Sequence, residues 1–189
     1  MFNDQKNNTV GRDMAGRDLT NINNVTNNFG APDRRTQIGF LYERLKSEVH
    51  EDNGLQEFVE ELQHYMGRST GGIHRSLSDK LTDSGRVDLV HVAEELKESA
   101  AKKIMRFQSS PAAQDIFAYV LGELHAKYLL LVRPLIAAGA DRIAIDAAIE
   151  QHVVKPVADS MEPSALQMTP RLILALLFYL AGNCHIQWD

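Results

Sequence analysis

The chain has 189 residues, a formal net charge of −5 and a single cysteine, Cys184. The negative charge argues against a general nucleic-acid-binding surface, because such surfaces need clustered Lys and Arg. One cysteine excludes an intrachain disulfide and favours a reducing, cytoplasmic location. The N-terminus does not resemble a signal peptide, and the most apolar run, residues 172–182, is too short to span a bilayer.

Two parts of the chain differ in composition. Residues 1–32 are rich in Asn, Gly and Asp and poor in large apolar residues, whereas helical periodicity begins at Thr36. We therefore predict a repeat strip at 1–32, followed by a helical domain at 33–189.

Amphipathic patterns predict an all-α domain of about six to seven helices. Thr36 is a possible cap for the first helix, and Asn53-Gly54 is a stop signal. The apolar residues that define the first two helices are Ile38, Leu41, Leu45, Val49, Leu55, Phe58, Val59, Leu62 and Met66. A short helix follows near Leu77 to Leu81.

The later helices carry clearer start and stop signals. A strong amphipathic pattern covers residues 87–107 through Val87, Val90, Leu96 and Ile104. Further signals are a proline start at Pro111, a kink or break at Pro134, a cap at Asp141, and a final helix with Thr169 as cap, Pro170 at its first position and Gly182 at its stop. The last helix is apolar nearly all round, which places it in the core.

The N-terminal strip repeats with a period of five residues. Written from Arg12, it reads RDMAG RDLTN INNVT NNFGA. Asp or Asn fills the second column throughout, and an apolar residue fills the third in three of four pentads. This resembles a β-solenoid coil, in which Asx and Gly residues turn the corners. The expected corner residues are Gly11, Asp13, Gly16, Asp18, Asn23 and Asn28.

A single coil cannot bury its own apolar column, because repeat architectures need stacked neighbours. One interpretation is therefore that residues 7–29 pair or stack with other copies of the chain and make a homo-oligomer. The expected contact residues are Val10, Met14, Leu19, Ile22, Val25 and Phe29. The alternatives are an Asn-rich disordered tail and a phosphate-binding glycine loop, although the Lys-Ser/Thr of a P-loop is missing.

The sequence contains no convincing active site, and we expect neither a cofactor nor a metal ion. None of the seven histidines has a tight metal-ligand spacing. One alternative is an effector, a toxin or hydrolase that uses Cys184 and His185. Another is a nucleic-acid-binding regulator that uses the cations Arg68, Arg75, Arg86 and those of residues 102–106. We do not expect direct nucleic-acid or membrane binding.

The C-terminus carries the most distinctive motif. An apolar helix leads into Gly-Asn-Cys-His-Ile-x-Trp, formed by Gly182, Asn183, Cys184, His185, Ile186 and Trp188. Ile186 and Trp188 are expected to alternate inward as an extended segment docked on the core. This ending resembles the C-terminal domain of the bacterial ABC three-component conflict systems, the group that includes Lamassu-type antiphage defence.

The resemblance implies a role beside an SMC/Rad50-like ABC ATPase that senses foreign DNA. In that family an effector often precedes such a domain, whereas here the strip and the early helices occupy that place. We therefore expect a non-enzymatic, oligomerising adaptor that binds partner proteins of a defence operon.

Overall fold

The computed structural model describes residues 36–48, 58–69 and 74–188. These residues form seven helices and no strand, as the amphipathic patterns predict. The N-terminal strip, Val49 and Leu55 lie outside them. None of the described helices has the length and apolar character needed to cross a membrane.

The first four helices are α1 (Gln37–Glu48), α2 (Glu60–Met66), α3 (Leu77–Asp83) and α4 (Val90–Arg106). Helix α5 runs from Pro111–Lys127 through a π turn at Tyr128–Val132 to Arg133–Ala137, and α6 likewise joins Arg142–Ala148, a π turn at Ile149–Val154 and Lys155–Asp159. The last helix, α7, is Pro170–Gly182.

Helix α7 is the central element of the core. The Thr169 side chain accepts a hydrogen bond from the Leu172 N–H at 3.3 Å, so Thr169 is the cap and Pro170 the first helical residue, as predicted. The helix packs along α4. Its buried residues are Ile173, Ala175, Leu176, Leu177, Phe178, Tyr179, Leu180 and Ala181.

Helix α1 packs against α5, and its start is also the predicted one. Thr36 accepts a hydrogen bond from the Gly39 N–H at 3.2 Å, which satisfies one of the free donors of the first turn. Ile38, Leu41 and Leu45 are buried on one face.

The predicted face of α4 is wrong at its first residue. Val87 is 63% exposed, because residues 87–89 form a 3₁₀ turn that changes the direction in which their side chains point. The helix proper begins at Val90, and its buried stripe consists of Ala93, Leu96, Ala100 and Ile104.

The helix does not break at Pro134, the position where a kink or break was expected, because a π turn precedes it. Proline lacks an N–H group, and its ring would clash with the carbonyl group four residues earlier. The wider turn at Tyr128–Val132 precedes this position, and the Arg133 N–H bonds the Tyr128 carbonyl, five residues back. The helix therefore continues to Ala137. Pro156 follows the π turn of α6 in the same way.

The ends of three helices show where left-handed backbone is needed. Gly85 after α3 and Gly139 after α5 have φ of 73° and 71°, as expected of residues just past a helix.

Gly182 does not have this role. After α7 the left-handed residue is Cys184, with φ of 63°. The His185 N–H bonds the Leu180 carbonyl at 3.0 Å, and the Cys184 N–H bonds the Ala181 carbonyl at 3.2 Å, which is the Schellman pattern.

Gly182 lies close to a flexible side chain of α4. A Cβ atom there would lie 2.5 Å from Cδ of Lys97 on α4. The predicted stop of the helix at Gly182 is confirmed, and the left-handed residue lies two positions further on, at Cys184.

We predict that Cys184→Gly is more stable than Cys184→Ala. Both variants lose the thiol, but only alanine keeps a Cβ atom in left-handed backbone, which costs about 1 kcal/mol. Urea denaturation of the two variants measures the difference. Equal stability would show that the backbone at this position carries no strain.

Candidate functional site

The residues of the C-terminal motif form a segment, 182–188, that lies against the core. Ile186 and Trp188 are 1% and 4% exposed, whereas Gln187 between them is exposed. The Tyr128 hydroxyl group donates a hydrogen bond to the Gln187 carbonyl. The expected docking of this segment on the core is therefore present, and we call it the C-terminal segment.

Asn183 and His185 hold the chain that follows α2. The Asn183 side-chain amide donates to the Tyr65 backbone carbonyl at 3.0 Å, and the backbone carbonyl of Asn183 accepts from the Ser69 N–H at 2.9 Å. Nε2 of His185 lies 3.0 Å from the Gly67 carbonyl. Polar side chains of the motif thus hydrogen-bond to backbone carbonyl groups in the last turn of α2 and directly after it.

The Lys80 ammonium group is buried beneath the same segment. The side chain is completely buried, and Nζ donates to the Ala181 carbonyl at 2.7 Å and to the Ile186 carbonyl at 3.2 Å. These carbonyls belong to the end of α7 and to the C-terminal segment. A buried charge is tolerated when it is well hydrogen-bonded, so this contact fixes where the segment leaves the helix.

Two histidines and a tyrosine surround the ring of His185, near the start of the segment. The ring of His185 lies 5.2 Å from that of His64, 5.8 Å from that of His125 and 5.4 Å from that of Tyr65, measured between centroids. Burial lowers the pKa of His185, although its hydrogen bond to Gly67 acts in the opposite direction. Burial also lowers the pKa of His125. Burial therefore favours the neutral imidazole of His125 and of His185.

The other end of the segment contacts a network of charges. The Arg86 side chain is 2% exposed and donates to Asp146 through Nη2 at 2.8 Å and Nε at 3.1 Å. Its guanidinium carbon lies 5.4 Å from the centre of the Trp188 ring. Arg142 bridges Asp146 to Asp88, and the hydrogen bond from Arg142 lowers the pKa of Asp88. This arrangement balances two positive and two negative charges.

The structure also shows where the residues of the two alternative functions lie. The Cys184 thiol lies 3.7 Å from the Arg75 carbonyl, its acceptor, and points to that connector. Arg86 is buried, whereas Arg75 forms a partly exposed ion pair with Asp83. Among the described residues, no group of three or more His, Cys, Asp or Glu could hold a metal ion.

Sequence reasoning missed the two buried cations. Lys80 lies between Leu77 and Leu81 on the buried side of a short helix, so a lysine within an apolar stripe was an available signal. Arg86 follows a glycine in a polar connector, and its burial depends on Asp146, sixty residues later. No local pattern contains that information.

The family comparison identifies the helical domain. The chain belongs to the family of C-terminal domain 9 of the ABC-three component (ABC-3C) systems, whose model matches residues 76–188, more than half of its length. The matched region contains α3 to α7 and the whole C-terminal segment, to Trp188. The resemblance of the C-terminal motif to these systems is thereby confirmed. No curated protein and no solved structure matches the chain.

We predict that Lys80→Met destabilises the protein by roughly 2–4 kcal/mol, because two buried carbonyl groups lose a charged donor. Chemical denaturation measures the change. Lys102→Met is the matched control, since Lys102 is exposed on α4 and its loss is expected to cost about 0.5 kcal/mol or less. Equal losses in the two variants would contradict the role of Lys80.

We also predict that stability falls on acidification partly through His185. The pKa of His185 is lowered in the folded protein. At a pH just below the ordinary pKa of histidine, the unfolded chain therefore binds more protons than the folded one. Stability is fully present above that ordinary pKa and is lost as the pH falls through the folded one. The variant His185→Gln keeps an N–H donor for Gly67 and does not titrate.

The measurement is the unfolding free energy between about pH 7 and pH 5. The unfolding free energy should decline less steeply with falling pH in His185→Gln than in the unmodified protein. The exposed control, His152→Gln, should show the same decline as the unmodified protein. A decline of unchanged slope in His185→Gln would show that His185 does not contribute.

Proposed function

We propose that this protein is a non-enzymatic adaptor of a bacterial ABC-three component system. In this proposal the helical body binds the other components, and residues 7–29 assemble copies of the chain. The protein would act in the cytoplasm, in antiphage defence of the Lamassu type, beside an SMC/Rad50-like ABC ATPase. The observation that carries the proposal is the family match, which extends over most of the helical body.

The use of the motif side chains supports an adaptor more than an effector. Asn183 contacts a backbone carbonyl in the last turn of α2, and Cys184 and His185 contact backbone carbonyls of the chain between α2 and α3. These contacts explain the motif as a device that fixes the end of the domain. A nucleophile would instead need a base and an open approach for substrate.

An exposed apolar surface supports a partner-binding role for the body. Leu130 and Leu131 in the π turn of α5 are 74% and 45% exposed, and Ile143 on the contacting helix α6 is 81% exposed. Apolar patches on soluble domains commonly mark protein–protein contacts. Such a patch suits a domain whose family belongs to multi-component systems.

Light scattering after size exclusion tests the assembly part of the proposal. We predict that the full chain is a defined oligomer and that a combined Met14→Asp, Leu19→Asp and Phe29→Asp variant is a smaller, folded species. Charged side chains at the third position of the pentads would prevent this apolar column from being buried between copies of the chain. A version starting at Pro32 should behave like this variant.

The control places the same charges outside the column, at Ala15, Thr20 and Thr26, and should keep the oligomer. A full chain that is monomeric, or an oligomer that survives the column substitutions, would contradict assembly through residues 7–29. Circular dichroism would show that the helical body is intact in each variant.

A further inference from the structure

A cavity of about 300 Å³ opens beside Trp188, between α4, α6, α7 and the C-terminal segment. Its volume lies at the lower end of the range usual for small-molecule sites. All of the residues that line it lie within the family domain. It is distinct from the histidine cluster and from the exposed leucines of α5.

The walls of this cavity are mainly apolar. They are formed by Leu89, Val92, Leu96, Ile149, Val154, Leu174, Phe178 and Trp188. Most of these side chains are buried or half-buried, and Val92 is 46% exposed. Binding of an apolar ligand to a concave apolar surface of this kind is favourable, because the ligand displaces water from the walls.

One buried cation lies in the wall. Arg86 donates from Nε and Nη2 to Asp146 and from Nη1 to the Ser84 carbonyl. These bonds occupy three of the five N–H groups of a guanidinium. The fixed guanidinium can therefore donate a further hydrogen bond to an acceptor in the cavity. Because Arg86 is already held in place, its side chain would lose little conformational entropy when a ligand binds.

The charges around the cavity do not favour an anion. Arg86 and Arg142 are balanced by Asp88 and Asp146, and Glu150 adds one negative charge to the lining. An anionic ligand would have to approach Glu150 without a compensating free cation. The site therefore suits an uncharged ligand.

We propose that this cavity binds an uncharged, mainly apolar small molecule that carries one hydrogen-bond acceptor for Arg86. The ligand would lie against Trp188 and Phe178. This site is independent of the adaptor proposal, because it needs neither residues 7–29 nor a partner protein.

The fluorescence of Trp188 reports binding in this cavity, because Trp188 is the only tryptophan of the chain. The probe is prodan, an uncharged naphthyl ketone, added to the full-length protein. We expect saturable energy transfer from Trp188 to prodan at one site per chain. Anilinonaphthalene sulfonate, an anionic dye of similar size, should bind more weakly than prodan.

Two matched substitutions locate the site. Val92→Asp places a charge in the exposed part of the wall and should weaken prodan binding about tenfold. Val87→Asp is the control, since Val87 is likewise exposed and lies near the start of α4 but does not line the cavity. The affinity of the Val87→Asp variant for prodan should stay within about twofold of that of the unmodified protein.

Three results would overturn the proposal. They are the absence of saturable transfer, an equal loss of binding in both variants, and tighter binding of the anionic dye. Both substituted positions are exposed, so both variants should fold, and circular dichroism verifies this.

Discussion

A lysine ammonium group that has left water must find acceptors, and Lys80 finds them in two backbone carbonyl groups at the end of the chain. One belongs to Ala181 in the last turn of α7 and the other to Ile186 in the C-terminal segment. Lys80 itself lies in α3, the first helix of the family domain. The interaction therefore joins the two ends of that domain, and removing the lysine would leave both carbonyls buried without a charged donor.

The position of the C-terminal segment determines the rest of the site. Because Ile186 is held by Lys80, Trp188 reaches Arg86 and forms one wall of the apolar cavity. At the other end of the segment, Asn183 and His185 hold the chain after α2. The Gly-Asn-Cys-His-Ile-x-Trp motif is thus explained by backbone hydrogen bonds and core packing rather than by the chemistry of a reactive thiol.

The sequence was most informative where one residue type has a local physical role. The caps at Thr36, Asp141 and Thr169 and the burial of α7 follow from local signals, and all are present. Contacts between distant residues were not predictable. The burial of Arg86, for example, depends on Asp146, sixty residues later. The helix ends at Gly182 as predicted, but the left-handed position that follows falls on Cys184 rather than on a glycine. The strip at 1–32 lies outside the described residues, so its assembly remains a prediction.

Native-state hydrogen exchange tests most directly whether Lys80 holds the C-terminal segment to the domain. The amides to follow are those of Ser69, bonded to the Asn183 carbonyl, and of Cys184 and His185, bonded to the last turn of α7. We predict that they exchange only by global unfolding, as the centre of α7 does, and that Lys80→Met allows them to exchange by local opening. If these amides already exchange by local fraying in the unmodified protein, the segment is not held as described, and the central claim is wrong.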